Sequence, residues 1–477
     1  MVVPDLGRAL MQRAPLALLT ALLGCDASAA APTVADGLTQ ARTADGAYIA
    51  WREHTIDTTT ASGQPLTGGD GLVACDLDGD GREDLVSVHE SDTRYDGVPD
   101  GHVRAAFATG DPERWDNVTL VEGPDAGAPE DAACGDVDGD GHIDVVVAAE
   151  LAHLVFLRNP GARARTANWP RLVVPATRGR GSFIRVFLAD FDGDGRLDAS
   201  TANKGAQNPD PNTQARTSIS IFRVLGDPLD GASWKEHVLG RYLIPQNAEP
   251  VDIDGDGDLD IVGGVRAEAR LVLFLNQRRG ALDFAESPLR IDGPVRAAGF
   301  NLAFADFDGD TRLDIVSASD QGLVWLEQPD DLALSWRAHP IGTLAPDWDT
   351  GIALADIDSD GDLDVMAGGY SRGDRDHDGD VSVDMPLGRL AWFANEGAGQ
   401  RWTRHDISRR ARGMFDKFVV RDVDGDGDPD FYFTRGNSRP FDGVFWLEPT
   451  RSPPPGRNFV PARADDSVEV PLPAPAA

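Results

Sequence analysis

Cysteine is scarce. The chain holds three in 477 residues, too few for a disulfide framework. Basic residues are outnumbered, 44 Lys and Arg against 79 Asp and Glu, for a formal net charge of −35. That balance excludes nucleic-acid binding through a general basic field. Aromatic residues make up only 7% of the chain. The apolar run Leu16 to Leu23 is too short to span a bilayer as a mature helix. No Gly-x-Ser-x-Gly, His-Glu-x-x-His or phosphate loop is present, so no residue is assigned as catalytic.

What the chain has in abundance is aspartate in one repeated order. Asp76, Asp78, Asp80 and Asp84 stand at positions 1, 3, 5 and 9 of a loop with Gly81 at position 6. A hard cation such as Ca²⁺ takes six to eight oxygens at about 2.3–2.6 Å, and carboxylates on alternate residues of a short loop can turn inward around one point. The same rule places Asp136, Asp138, Asp140 and Asp144 in a second loop, and Asp190, Asp192, Asp194 and Asp198 in a third. A fourth carries Asp252, Asp254, Asp256 and Asp260, and a fifth Asp306, Asp308, Asp310 and Asp314. The sixth holds Asp356, Asp358, Asp360 and Asp364, the seventh Asp422, Asp424, Asp426 and Asp430. One such loop is no more than an acidic turn; seven with one acid pattern point to metal ligation. Seven bound Ca²⁺ would bring the net charge to about −21. Thr311 replaces Gly at position 6 of the fifth loop, where a β-branched residue resists positive φ, so that site is expected to be the weakest. An eighth loop is suggested by Asp374, Asp376 and Asp378, which precede Gly379 in the sixth unit.

Successive loops start 50–66 residues apart, a period that signals a propeller rather than a helical solenoid. Each unit reads as four short strands broken at Gly, Pro and Asp. The fifth is typical: Asn301 to Ala305 enters the loop, Leu313 to Ala318 leaves it, Gly322 to Leu326 is aromatic, and Trp336 begins a Trp-x-x-His strand. Four-stranded units repeated radially make an all-β, seven-bladed β-propeller. The seventh unit lacks its Trp-x-x-His strand, and Trp51-Arg52-Glu53-His54 supplies one at the other end of the chain. The N-terminal strand is therefore expected to complete the last blade, close the ring and remove an exposed edge. The edge histidines are read as packing groups rather than ligands.

The start of the chain reads as an export signal. Arg8 and Arg13 precede the apolar run, which ends Leu22-Leu23-Gly24-Cys25. This resembles a bacterial lipobox, which implies lipidation of Cys25 and anchoring in the cell envelope; an ordinary cleaved signal is the alternative, and a start at Met11 gives the tidier signal. The expected organisation is a signal over 1–25, a flexible tether over 26–46, the propeller over 47–449 and a Pro-rich disordered tail over 450–477. Cys75 and Cys134 lie one and two residues before their loops. Export permits a disulfide between them, but the offsets point to opposite strand faces, and the expectation is two small buried residues.

The repeated Asp-x-Asp-Gly-Asp-Gly-x-x-Asp with flanking strands resembles the FG-GAP/VCBS repeats of integrin-α-like propellers. The resemblance covers residues 47–449. It implies Ca²⁺ between the first and second strands of each blade, held by the 28 aspartates above. It implies little about function, because the family includes adhesion modules, substrate-binding lipoproteins, polysaccharide lyases and a sugar dehydratase.

If the acidic loops occupy one face, the other carries the long variable connections, where function usually sits. Six residues after the last Asp of each loop stand Glu90, Glu150, Lys204, Arg266, Asp320, Tyr370 and Gly436, with His89 and Arg435 one step earlier. This ring is expected at the channel mouth. A polar ring with one aromatic suits a carbohydrate or small polar ligand, the alternative being a solvated rim. Arg178, Arg180, Arg241, Arg296, Arg409, Arg410 and Arg412 fall in inter-blade connections of the same face and suggest an anionic ligand. The leading reading is an exported binding or adhesion module whose partner is a carbohydrate or surface protein. The other is a lyase or dehydratase using His89 or Tyr370 with Arg266 or Arg435.

Overall fold

The second strands are buried along most of their length, and Asp144–Ala149, reading Asp-Val-Val-Val-Ala-Ala, is apolar after its first residue and buried throughout. Burial on both faces removes the usual alternation. Such strands need cover on either side, and a ring of sheets provides it. The computed structural model describes residues 32–91, 97, 100–151, 153–277, 282–371 and 381–474. They form seven antiparallel sheets arranged as the blades of a propeller. Blade 1 consists of Gly69–Cys75, Asp84–His89, His102–Ala108 and Trp115–Glu122, and the pattern repeats through blade 6.

The acidic loops all join first and second strands, and in all seven the residue just before position 1 pairs with the aspartate at position 9. Cys75 faces Asp84, Gly135 faces Asp144 and Arg421 faces Asp430; the other four pair likewise. Each loop is thus the closed end of a hairpin, and every copy lies on the same face of the ring.

The seventh blade takes Phe418–Arg421, Asp430–Arg435 and Gly443–Ser452 from the end of the chain and Tyr48–Thr58 from its start. Trp51 stands opposite Pro449 and His54 opposite Trp446, so the ring closes as expected. The edge histidines pack on tryptophans of the third strands. His54 stacks on Trp446 with ring centroids 3.9 Å apart, His339 on Trp325 at 4.0 Å, and His405 on Trp392 at 4.7 Å.

Three expectations are corrected. Residues 450–474 are not a loose tail: Phe459–Val460 adds a parallel strand outside the N-terminal one, and Val470 packs with Leu387 and Ala411. The described part of the expected tether is also placed, with Ala35 and Ala41 buried against Trp51, Phe445 and Phe459. Composition suggested solvation for both segments, but each finds apolar and charged partners on the last two blades. Cys75 and Cys134 form a disulfide. Opposite-face offsets hold within one sheet, but in a ring neighbouring blades present opposite faces to each other, so those offsets bring the sulfurs together. The expected signal, the lipidation at Cys25 and the extra loop at Asp374, Asp376 and Asp378 lie outside the described residues.

The C-terminal segment closes over a buried charge network. Glu53 accepts from Arg410 at 3.2 and 3.3 Å, from Arg435 at 3.1 Å and from the Ala462 amide at 3.1 Å. Asp466 lies 3.1 Å from Arg410 and 2.9 Å from Arg435. Removing one partner of such a cluster leaves an uncompensated buried charge. Glu53→Gln is therefore expected to lower the unfolding free energy by about 3 kcal/mol, measured by denaturant titration of the full chain.

Candidate functional site

Two regions gather polar side chains. The first is the acidic face. In the first loop the Asp76 carboxylate accepts from the amides of Gly79, Asp80 and Gly81 at 2.8, 3.1 and 2.9 Å, which bends the chain around it. Position 6 requires positive φ, met by Gly81 at +85°, and Thr311 adopts +75° in the fifth loop, a conformation that costs a β-branched residue on the order of 1–3 kcal/mol.

Position 9 has a second task. Asp84 is fully buried; one oxygen accepts from the Leu77 amide at position 2 and the other from Ala108 at the end of the third strand, both at 2.9 Å. Asp144, Asp260, Asp314 and Asp364 make the same double clamp. Burial, opposed by these hydrogen bonds and aided by the loop carboxylates, pushes Asp84 and Asp314 up to about 6, Asp144 and Asp260 to about 7, and Asp364 to about 8.

The donor chemistry fits a hard divalent cation. Oxygens of Asp76, Asp78 and Asp84 lie within 4.8 Å of one another, as do those of Asp136, Asp138 and Asp144 and of Asp252, Asp254 and Asp260. Asp252 Oδ1, Asp358 Oδ1 and Asp198 Oδ2 are buried without a hydrogen-bond partner, an arrangement that calls for a cation or water.

The second region is the channel mouth on the opposite face. Of the ring expected there, Glu90, Glu150 and Lys204 come together. Oxygens of Glu90, Glu130 and Glu150 lie within 4.8 Å of one another, and the Lys204 ammonium is ion-paired with Glu150 and lies 3.8 Å from Glu130. Burial pulls the Lys204 pKa down, against Glu130. Arg266 and Asp320 are exposed, and the Asp320 carboxylate accepts from the Arg296 amide at 3.0 Å. Tyr370 is half-buried, edge-on to Trp348 at 6.2 Å.

His89 and Arg435 depart from the expectation. Both are fully buried, His89 with its pKa pushed down to about 3 by burial and by Arg104 and His102. Neither reaches a surface ligand: His89 lies against Ser87, and Arg435 is held by Glu53 and the Phe441 carbonyl. The arginine set also fails to converge on a ligand. Arg409 forms a fork with Asp347 at 2.7 and 2.8 Å, Arg410 serves Glu53, and Arg180 holds Glu236 at 2.6 and 2.8 Å. Arg412 is buried, whereas Arg178, Arg241 and Arg296 are exposed. Charge balance within the protein accounts for the paired ones.

Sequence reasoning missed the channel wall itself. Five residues before the first aspartate of each loop stand Gly71, Asp131, Arg185, Asn247, Asn301, Gly351 and Lys417. Arg185, Asn247, Asn301 and Lys417, with Glu249 and Asp416, line a cavity of about 170 Å³. Arg185 donates to Asp416 at 2.8 Å and Asn301 at 3.1 Å. Burial pushes Asp131 and Glu249 up, with Lys417 opposing. The fixed offset from the loops was the signal that could have found this wall.

A family model described as FG-GAP-like repeat matches residues 76–147, 136–199, 252–317 and 306–367, half of the chain and six of the seven loops. No curated protein sequence matches the chain. Among solved structures it is similar to an Agrocybe aegerita lectin that recognises non-reducing terminal N-acetylglucosamine, at 16% identity and a TM-score of 0.43 over 73% of this chain and 82% of that one. It is also similar to the V. cholerae biofilm matrix protein Bap1, at 13% and 0.39 over 84% and 91%. An exo-β-1,3-galactanase of Phanerochaete chrysosporium is similar at 9% and 0.32 over 55% and 59%. At such identities and TM-scores these likenesses carry no argument about ligand or activity.

The double clamp separates two kinds of loop aspartate. Asp364→Ala strands two buried amides and is expected to destabilise by about 2–4 kcal/mol with or without calcium. Asp358→Ala removes an unpartnered oxygen and is expected to matter only in calcium. Denaturant titrations in Ca²⁺ and in chelator distinguish them.

Proposed function

The chain belongs to the FG-GAP-like repeat family, and from that premise we propose that it is an exported, calcium-stabilised binding module whose ligand, a carbohydrate or a surface protein, docks on the face opposite the acidic loops. The observation that carries this reading is the division of labour between the two faces. All seven acidic loops close first-to-second-strand hairpins on one side. The convergent Glu90, Glu130, Glu150 and Lys204 lie at the far ends of those strands. A cation in each loop would tie the hairpin ends together and leave the other face to vary.

Export is supported by the signal-like start and by the disulfide between Cys75 and Cys134, since such bonds persist in oxidising compartments. No described helix is long and apolar enough to cross a membrane, and membrane attachment in this reading runs through the lipidated Cys25. The lyase or dehydratase alternative loses ground because His89 and Arg435 are fully buried and held in internal contacts.

Calcium is the first test. Binding to the native state alone stabilises by RT ln(1 + [L]/Kd), roughly 2.7 kcal/mol per site at 100 Kd. Thermal unfolding of residues 26–477 is expected to show a large rise in Tm with excess Ca²⁺ over chelator. An unchanged Tm would reduce the loops to acidic turns and remove the calcium part of the proposal. For the binding part, retention of the protein on immobilised glycans or cell surfaces is expected to fall with Lys204→Ala, read well below the variant's own Tm because losing the buried ion pair with Glu150 also destabilises the fold.

A further inference from the structure

A further cavity lies away from the channel, on the outer wall of the ring. It has a volume of about 370 Å³. The outer strand of blade 1, Trp115–Glu122, forms its floor. One wall is the turn after the N-terminal closing strand, with Ser62 and Gln64, and the other is the segment of blade 2 around Asn168. That segment is fixed in place: the Asn168 and Trp169 amides donate to the Thr119 and Leu120 carbonyls at 3.2 and 3.0 Å. Asn168 is held at φ +61°, a conformation Asn tolerates better than most residues. Three separate parts of the chain thus build one cleft that exists only once the ring has closed.

The lining is made almost entirely of amides, hydroxyls and paired charges. Asn117 donates its amide to the Ile56 carbonyl at 2.9 Å and leaves its own Oδ1 buried without a donor. Thr119 Oγ1 accepts from Arg104 at 2.6 Å, and Ser62 Oγ donates to the Thr58 carbonyl at 2.9 Å. The side-chain amides of Gln64 and Asn168 make no hydrogen bond among the described residues. Val118 and Ala167 are the apolar members, so neither a lipid nor an apolar peptide side chain has a surface to fill.

An anion is disfavoured as well, because both arginines at the site are already neutralised. Arg104 pairs with buried Asp57 at 2.8 Å, and Arg165 with Asp116 at 3.0 Å as well as with Asp78. Glu122 faces His102 at 3.7 Å, and burial holds that imidazole's pKa below its ordinary value. What remains is a set of neutral amide and hydroxyl groups with one carboxylate, Glu122, which faces a neutral imidazole. Groups of this kind match a ligand whose atoms are donor and acceptor at once. A site built to hydrogen-bond hydroxyls discriminates strongly against molecules that lack them. The volume is at the lower end of the range for ligand clefts.

We propose that this cleft between blades 1 and 2 is a binding site for a neutral sugar, in which Gln64, Asn168 and Glu122 hydrogen-bond the hydroxyls of one or two residues at the end of a glycan. The site is separate from the channel mouth. It gives the module a second point of attachment on its side wall, and two attachment points on one rigid ring raise avidity for a polymer.

The test uses the full mature chain in Ca²⁺ on an array of immobilised neutral glycans ending in glucose, galactose, mannose or N-acetylglucosamine. The variants are Gln64→Ala and Asn168→Gly; the second removes the side chain at a positive-φ position that glycine adopts freely, so its folding is secure. Binding of the wild type to at least one glycan, weakened tenfold or more in both variants at unchanged Tm, is the expected result. Equal binding by wild type and both variants overturns the inference. So does loss in Lys204→Ala alone, which would place the sugar at the channel mouth and leave the proposed function standing. Absence of wild-type binding to every glycan overturns it too, while retention on cells would then assign the channel face to a protein partner.

Discussion

The buried carboxylate at position 9 is the interaction on which the architecture rests. It receives the amide of position 2 on one oxygen and the amide ending the third strand on the other, as Asp364 does with Ile357 and Asn395, both at 2.8 Å. One side chain thereby fixes the loop, the hairpin it closes and the neighbouring strand. Its amides are buried and would be costly to leave unpaired. Asp198 and Asp430 make only part of the clamp: Asp198 accepts from Val224 at 3.3 Å and keeps an unpartnered oxygen, and Asp430 accepts from Val423 at 2.8 Å.

The clamp also carries order from blade to blade. The residue whose amide completes it is often Asn or Gln, and its side chain reaches the previous blade. Asn159 donates to the Leu77 carbonyl at 2.7 Å, Asn276 to Phe191 at 2.9 Å and Gln328 to Ile253 at 2.7 Å. Those carbonyls belong to position 2 of the neighbouring loop, whose apolar side chain is buried in the core. The acidic face is therefore a connected belt. A cation bound in one loop would stiffen a hairpin that its neighbour already grips.

Closure of the ring is handled by a different chemistry. At the last blade the chain ends meet, and the Trp-x-x-His strand from the N-terminus takes the third-strand edge. The strand Phe459–Val460 then covers it, with Glu53 and Asp466 set between Arg410 and Arg435. Arginines that a sequence reading offers to an external anion are consumed internally. The same principle applies to Arg104 and Arg165 at the side-wall cleft, whose guanidiniums are spent on Asp57, Asp116 and Asp78.

Much of this molecule is legible in its residues because local patterns repeat. The loop period, the Trp-x-x-His strand displaced to the N-terminus and the place of the acidic loops all follow from short-range spacing, and a propeller blade is a short-range object. Distances between blades are a different matter. The Cys75–Cys134 bridge, the burial of His89 and Arg435, the placed C-terminal segment and the amide links between loops depend on which face of one sheet meets its neighbour. The side-wall cleft needs Ser62, Asn117 and Asn168 from three segments brought together by ring closure. Periodicity determined the blade; only the curvature of the closed ring decided which side chains share a space.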